Sequence, residues 1–277
     1  MKRLFALFLA LTMLTGLSSC SLIKKYALGT EEEEKPAGYI STKENDLFVY
    51  DVFRDYIAIT GYIGEETELI IPEVIDNKPV TTIGSIAFFE NNIVESIILP
   101  QTLTTIEGSA FYYCENLTEL EIPKGVTSIG ERAFAWCSSL KRIQLPQGIS
   151  EIRDYTFNHC SSLEEIIIPD SVRRIGTRAF SWCSSLEEIE LPPSVISVGD
   201  NAFLSCGSMR YAIVHGNTDD FGVGVFDDCE LLTVVTSEGT PCYIYCIDNG
   251  YPTISEKPEE LDQSDDLSSE DSEELNN

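Results

Sequence analysis

A stretch of 23 residues, Ile129 to Glu151 (IGERAFAWCSSLKRIQLPQGISE), recurs on both sides of itself, and this constrains the fold more than any other feature of the chain. Copies open at Ile83, Ile106, Ile129, Ile152, Ile175, Val198 and Phe221, with no insertion or deletion between those seven points. A fixed period of this length makes each copy one coil of a stacked array. In register, the copies become columns, and a column that stays apolar must face a shared interior. The phenylalanine column is unbroken: Phe88, Phe111, Phe134, Phe157, Phe180, Phe203, Phe226. Three residues on come Cys114, Cys137, Cys160, Cys183, Cys206 and Cys229, with Asn91 in the first copy. Three further stand Leu117, Leu140, Leu163, Leu186, Met209 and Leu232.

Within one copy, Ala133, Phe134, Cys137 and Leu140 have helical spacing, which predicts a short helical turn with one buried face. The period then changes to two. Ile143 and Leu145 point inward and Arg142 and Gln144 outward, a strand ended by Pro146. Ile149 and Ile152 return the chain to the next coil. Gly130, matched by Gly84, Gly176, Gly199 and Gly222, serves a turn of positive φ or a close approach; Glu107 and Arg153 occupy the same column, so glycine is not obligatory. One coil buries too few side chains to offset the entropy of ordering its backbone. Coils must therefore stack, giving a solenoid whose short parallel strands form one curved sheet, with the helical turns on the opposite side.

The pattern I-G-x-x-A-F-x-x-C-x-x-L-x-x-I-x-[IL]-P resembles the BspA-type leucine-rich repeat of bacterial surface proteins. The resemblance spans about Asp51 to Ile254, and five copies from Ile83 to Ser197 keep nearly every signature position. It implies a leucine-rich-repeat fold and, more loosely, adhesion or host-protein binding.

The two ends read differently. Residues 1–19 carry Lys2 and Arg3, an apolar run from Leu4 to Leu14, then small residues, which is a secretory signal too short to span a membrane by choice. Leu17-Ser18-Ser19-Cys20 looks like a bacterial lipobox, making Cys20 the acylated N-terminus and its lipid the only membrane contact. Residues 20–45 are expected to hold that cysteine and an acidic tether with Glu31-Glu32-Glu33-Glu34. Residues 46–82 read as an N-terminal hairpin cap (DLFVYDVFRDYIAITGYIG) and an irregular first repeat, and 83–240 as the 23-residue repeats. Residues 241–255 read as a C-terminal cap: a helix from Pro241 to Asn249 with Gly250 after its end, then a short strand. Residues 256–277, ten acids against Lys257, are an expected disordered tail.

Nine cysteines in an exported chain would ordinarily indicate disulfides. Six of them share one inward position, the behaviour of a small buried hydrophobe, so structural thiols are expected. Cys242 and Cys246 share a helix face and are expected to pack on the last coil. Neither histidine has the spacing to complete a metal site with them, and no cofactor is implied. His159-Cys160 invites a nucleophile-and-base reading, yet the column buries Cys160. The chain is not expected to be an enzyme.

A net charge of −28 argues against nucleic acid and anionic headgroups and favours a basic protein partner. The outward strand columns supply the candidate surface: Glu119, Arg142, Glu165, Glu188, Tyr211 and, in the last copy, Val234; then Glu121, Gln144, Ile167, Glu190, Ile213 and Thr236. Arg142 lies between Glu119 and Glu165, a cross-strand charge pairing. Glu164, Glu165, Glu187, Glu188 and Glu190 form an acidic patch expected to draw a basic protein segment in preference to a divalent cation, with Ile167, Tyr211 and Ile213 as apolar contacts. A second row, Tyr113, Trp136, His159 and Trp182, offers a glycan-binding ridge. Arg132, Arg153, Arg173, Arg174 and Arg178 flank it and are placed to hold the acidic tail. The expected protein is a monomeric, lipid-anchored, surface-exposed binder. The alternatives are a structural spacer of the envelope or a glycan binder; the unbroken period excludes a two-lobed solute-binding protein.

Overall fold

The computed structural model describes residues 36–258. The predicted signal sequence, Cys20, most of the tether and the tail beyond residue 258 lie outside the described residues.

The chain opens with an antiparallel meander, β1 (Tyr39–Glu44), β2 (Phe48–Phe53) and β3 (Ile57–Tyr62). The hairpin read from the sequence is β2–β3, and β1 begins inside the stretch expected to be tether. From there the chain winds in coils, with a first front-wall step of 28 residues from Glu68 to Ser96 and steps of 23 in the regular copies, and each coil touches three walls.

The front wall holds β4 (Glu68–Ile70), β7 (Ser96–Ile98), β9 (Glu119–Glu121), β11 (Arg142–Gln144), β14 (Glu188–Leu191), β16 (Tyr211–Val214), β18 (Thr233–Val235) and β19 (Thr253–Ile254), all parallel. In β4, β9 and β11 the middle residue is buried and its neighbours are exposed, the alternation that a strand with one dry face requires. The return segment expected around Ile149 and Ile152 is in fact a second parallel ladder, the back wall. It comprises β6 (Lys78–Ile83), β8 (Thr105–Ile106), β10 (Ser128–Ile129), β12 (Glu151–Ile152), β13 (Arg174–Ile175), β15 (Ser197–Val198) and β17 (Asp220–Phe221). A short β5 (Val74–Ile75) pairs back on β6, and β3 joins the meander to this wall.

The third wall corrects an expectation. Residues 130–140 form no helix; they are a run of overlapping tight turns with left-handed residues at Arg132 (φ 56°) and Trp136 (φ 65°). The Ala133, Ala135 and Cys137 amides close turns onto the Gly130, Arg132 and Phe134 carbonyls. The intervening Arg132, Phe134 and Trp136 amides donate to Asp154, Thr156 and Asn158 of the next coil at 3.1, 3.0 and 2.8 Å. Side chains recur every three or four residues in both a helix and such a run of turns, so spacing alone does not separate them.

The core is the set of columns. Adjacent phenylalanine rings stack at 5.0 to 5.6 Å from Phe88 to Phe226, and Tyr62 and Tyr251 finish the row at either end. Each column cysteine donates its S–H to the phenylalanine carbonyl of the preceding coil, Cys160 to Phe134 at 3.2 Å for example, so the thiols are structural donors. The repeat glycine serves close approach: a Cβ on Gly130 would sit 2.3 Å from the Gly108 nitrogen, and φ is positive at none of the five matched glycines.

After the last full coil, α1 (Pro241–Asn249) forms as read, with Thr240 accepting from the Tyr243 amide and Gly250 left-handed (φ 78°). Cys242 and Cys246 are fully buried against the coils. The register slips by one just before: Tyr211 pairs with Thr233, not Val234. Val234 and Thr236, expected to face outward, are therefore buried.

Candidate functional site

Three rows of outward side chains run along the front wall: those of Glu119 and Glu121, and a flanking row of Thr118, Lys141, Glu164, Glu187 and Arg210. Glu119 and Glu121 on β9 and Arg142 and Gln144 on β11 are exposed and in register. Arg142 also bridges to Glu165 on the next coil. The order is as read, but Arg142 makes no side-chain ion pair within 4.0 Å among the described residues, so the expected charge pairing is one of proximity.

One coil later the ladder stops. No backbone pairing joins residue 165 to β14. The row of amide bonds Thr118 to Glu95, Lys141 to Thr118, Glu164 to Lys141, Arg210 to Glu187 and Thr233 to Arg210 lacks only the step from Glu187 to Glu164. This is the one step at which an acid follows an acid in two rows at once, Glu164 to Glu187 and Glu165 to Glu188. Like charges directly opposite oppose closure. A shallow depression of about 510 Å³ opens there. Its walls include the expected Glu164, Glu165, Ile167, Glu187, Glu188 and Glu190, and also Asp170, Pro192 and Pro193, which lie outside the outward columns. Ile167 is 73% exposed on the rim. Tyr211 and Ile213 lie half-buried on β16, beside β14.

Two side chains from later in the chain reach this surface. His215 Nε2 stands 2.8 Å from Glu190 Oε1. Lys257, from the stretch expected to be disordered, pairs with Glu188. Neither was legible as a site residue, because both contacts join parts of the chain whose sequence pattern had already decayed. Glu164, Glu165 and Glu187 have no Lys, Arg or His within 4.0 Å among the described residues.

The turn wall carries the second row. Tyr113, Trp136, His159 and Trp182 all have positive φ, and their rings stack face to face at 5.1, 3.7 and 5.4 Å. The rings spend their faces on one another, so the row offers edges to solvent rather than the platforms a sugar needs; Trp182, 48% exposed, ends it. Partial burial lowers the His159 pKa from its ordinary value. His159 lies in this outer stack while Cys160 is buried in the core with its thiol on the Phe134 carbonyl, and burial pushes that thiol's pKa up; the two side chains cannot act as a pair. Of the flanking arginines, Arg153 and Arg174 are paired with Glu151, Arg174 also with Asp154, and Arg132 lies over the Tyr155 ring. Whether they meet the acidic tail falls outside the described residues. No cluster of three or more metal-ligating side chains occurs among the described residues.

With this geometry, the chain is similar in structure to the T. pallidum leucine rich repeat protein TpLRR. The two are 27% identical, with a TM-score of 0.52 over 77% of this chain and 98% of that one. A leucine-rich repeat protein from Eubacterium ventriosum shares the fold at 22% identity and a TM-score of 0.56, over 69% of this chain and 50% of that one. No curated protein matches the sequence. The profile of the BspA type leucine rich repeat region matches residues 67–163 and 150–245 in six copies. Such proteins are commonly bacterial surface proteins and protein-interaction scaffolds. The chain belongs to the BspA type leucine rich repeat family.

Proposed function

We propose that this protein is exported, anchored by a lipid on Cys20 to the bacterial envelope, and that its front wall binds a protein with a basic surface. The observation that carries the binding reading is the break in the front ladder, where Glu164, Glu165 and Glu187 gather around a depression and, among the described residues, none of them has a cationic side chain within 4.0 Å. A net charge of −28 reinforces attraction of a basic partner at long range. Ile167 on the rim supplies apolar area of the kind that anchors an interface.

The test compares the wild-type chain with Glu165→Gln, Glu187→Gln and Glu188→Gln combined, against host and envelope extracts at low and moderate salt. A partner lost both in the triple variant and on adding salt supports the reading. Equal capture of a partner by both proteins at both salt levels overturns this surface as the site, and no capture by either leaves a structural spacer. The anchor is checked separately: Cys20→Ala should abolish incorporation of a labelled fatty acid.

A further inference from the structure

One carboxylate that lines the depression, Glu188, is already engaged by a cation of the protein's own. After β19 the chain runs through Ser255 and Glu256 and brings Lys257 back onto the front wall. Its ammonium pairs with the Glu188 carboxylate, 69 residues away in sequence, and lies 5.4 Å from the centre of the Tyr211 ring. Glu188 and Tyr211 are partners across β14 and β16, in register. A carboxylate and an aromatic face fixed side by side by the ladder hold an ammonium by charge and by the ring's quadrupole together. No other point on the front wall has this pair: Glu119 and Glu165 have Arg142 as neighbour, and Ser96 stands before Glu119.

Resting on the reading that this wall docks a basic protein, we propose that Glu188 and Tyr211 form a lysine-accepting subsite, filled in cis by Lys257 and filled by a partner's lysine on docking. The C-terminal segment is then an internal competitor. A partner lysine must evict Lys257, and the apparent affinity is reduced by the fraction of molecules in which Lys257 is seated. Nine further acids follow Lys257 in the sequence, so the segment that is displaced carries charge that a basic partner also attracts.

The experiment has two arms on the full chain. In the first, a fluorescently labelled oligolysine is titrated at low salt and its anisotropy followed. Lys257→Gln is expected to bind about 3–10-fold more tightly than wild type, Glu188→Gln and Tyr211→Leu more weakly, and Lys257→Gln added to Glu188→Gln to give no further gain. The second needs no partner: the rate of reductive methylation of each lysine. Lys257, with its side chain 30% exposed, should react more slowly than Lys124 and Lys141, and Glu188→Gln should abolish that protection. If the probe binds and Glu165→Gln weakens it while Lys257→Gln changes nothing, the docking face stands and the subsite is overturned. If no variant binds the probe, the docking reading fails, and the partner half of the proposal fails with it. If Lys257 labels as fast as Lys124 in the wild type, the cis half is overturned.

Discussion

Two walls of this solenoid each open once, and only one opening has the makings of a site. On the back wall no pairing joins β10 to β12; on the front wall none joins residue 165 to β14. At the back, Thr127 and Ser150 face each other across the gap without charge. At the front, two rows of carboxylates meet and a depression forms. The core does not register either gap: Phe134 and Phe157 stack at 5.6 Å across the back opening, and Phe157 and Phe180 at 5.3 Å across the front. Turn-wall bonds also continue past both, with Arg132 donating to Asp154 and Phe157 to Ala179. A missing ladder step is therefore a local surface event in a fold bonded on three walls. What converts it into a candidate docking site is the charge around it.

That contrast can be broken most forcefully from inside. Phe157 sits between both openings, and Phe157→Ala should cost about 3–5 kcal/mol, as much as Phe111→Ala far from either, in urea denaturation. A clearly smaller loss at Phe157 would mean the gaps reach the core and the walls do not open independently. A charge swap sharpens the comparison at the surface. Glu187→Lys continues the alternation of Lys141 and Glu164 in its own row, and should stabilise by about 0.2–1 kcal/mol at low salt. It should also slow hydrogen exchange at the residue 187 amide, while Ser150→Lys on the back wall does neither. Added salt should stabilise the wild type more than Glu187→Lys.

The smallest expected effect lies on the turn wall. Burial favours the neutral ring of His159, so its contribution to stability is full above pH ~6.5, the unfolded value, and is lost as pH falls through the lower folded value. His159→Gln should flatten the stability profile below neutrality while leaving oligolysine binding at the front wall unchanged. A wild type that gained stability relative to His159→Gln on acidification would show instead that the flanking Trp136 and Trp182 faces hold the imidazolium.

Much of this architecture was legible because the columns are redundant. Seven phenylalanines at one spacing fix the stacking direction, and Thr240, Pro241 and Gly250 mark both ends of α1 without reference to anything else. Periodicity cannot tell a helical turn from a run of tight turns, so the left-handed residues at Arg132 and Trp136 went unread. It also averages over copies, which hid the slip that buries Val234 and the single missing bond between Glu164 and Glu187. The acidic patch itself was readable as a run in the columns. Lys257 was not, because its contact with Glu188 depends on where the chain turns after β19 and no column predicts that.

The fixed offsets between bonded residues bear on how such a chain changes over generations. On the turn wall the regular coils grip predecessor and successor with the same amides and carbonyls, so unequal recombination can add or delete one whole unit and leave the junctions on that wall sound. The length of the molecule is thereby heritable separately from the composition of any one rung, and a lineage can extend its reach without redesigning what it holds.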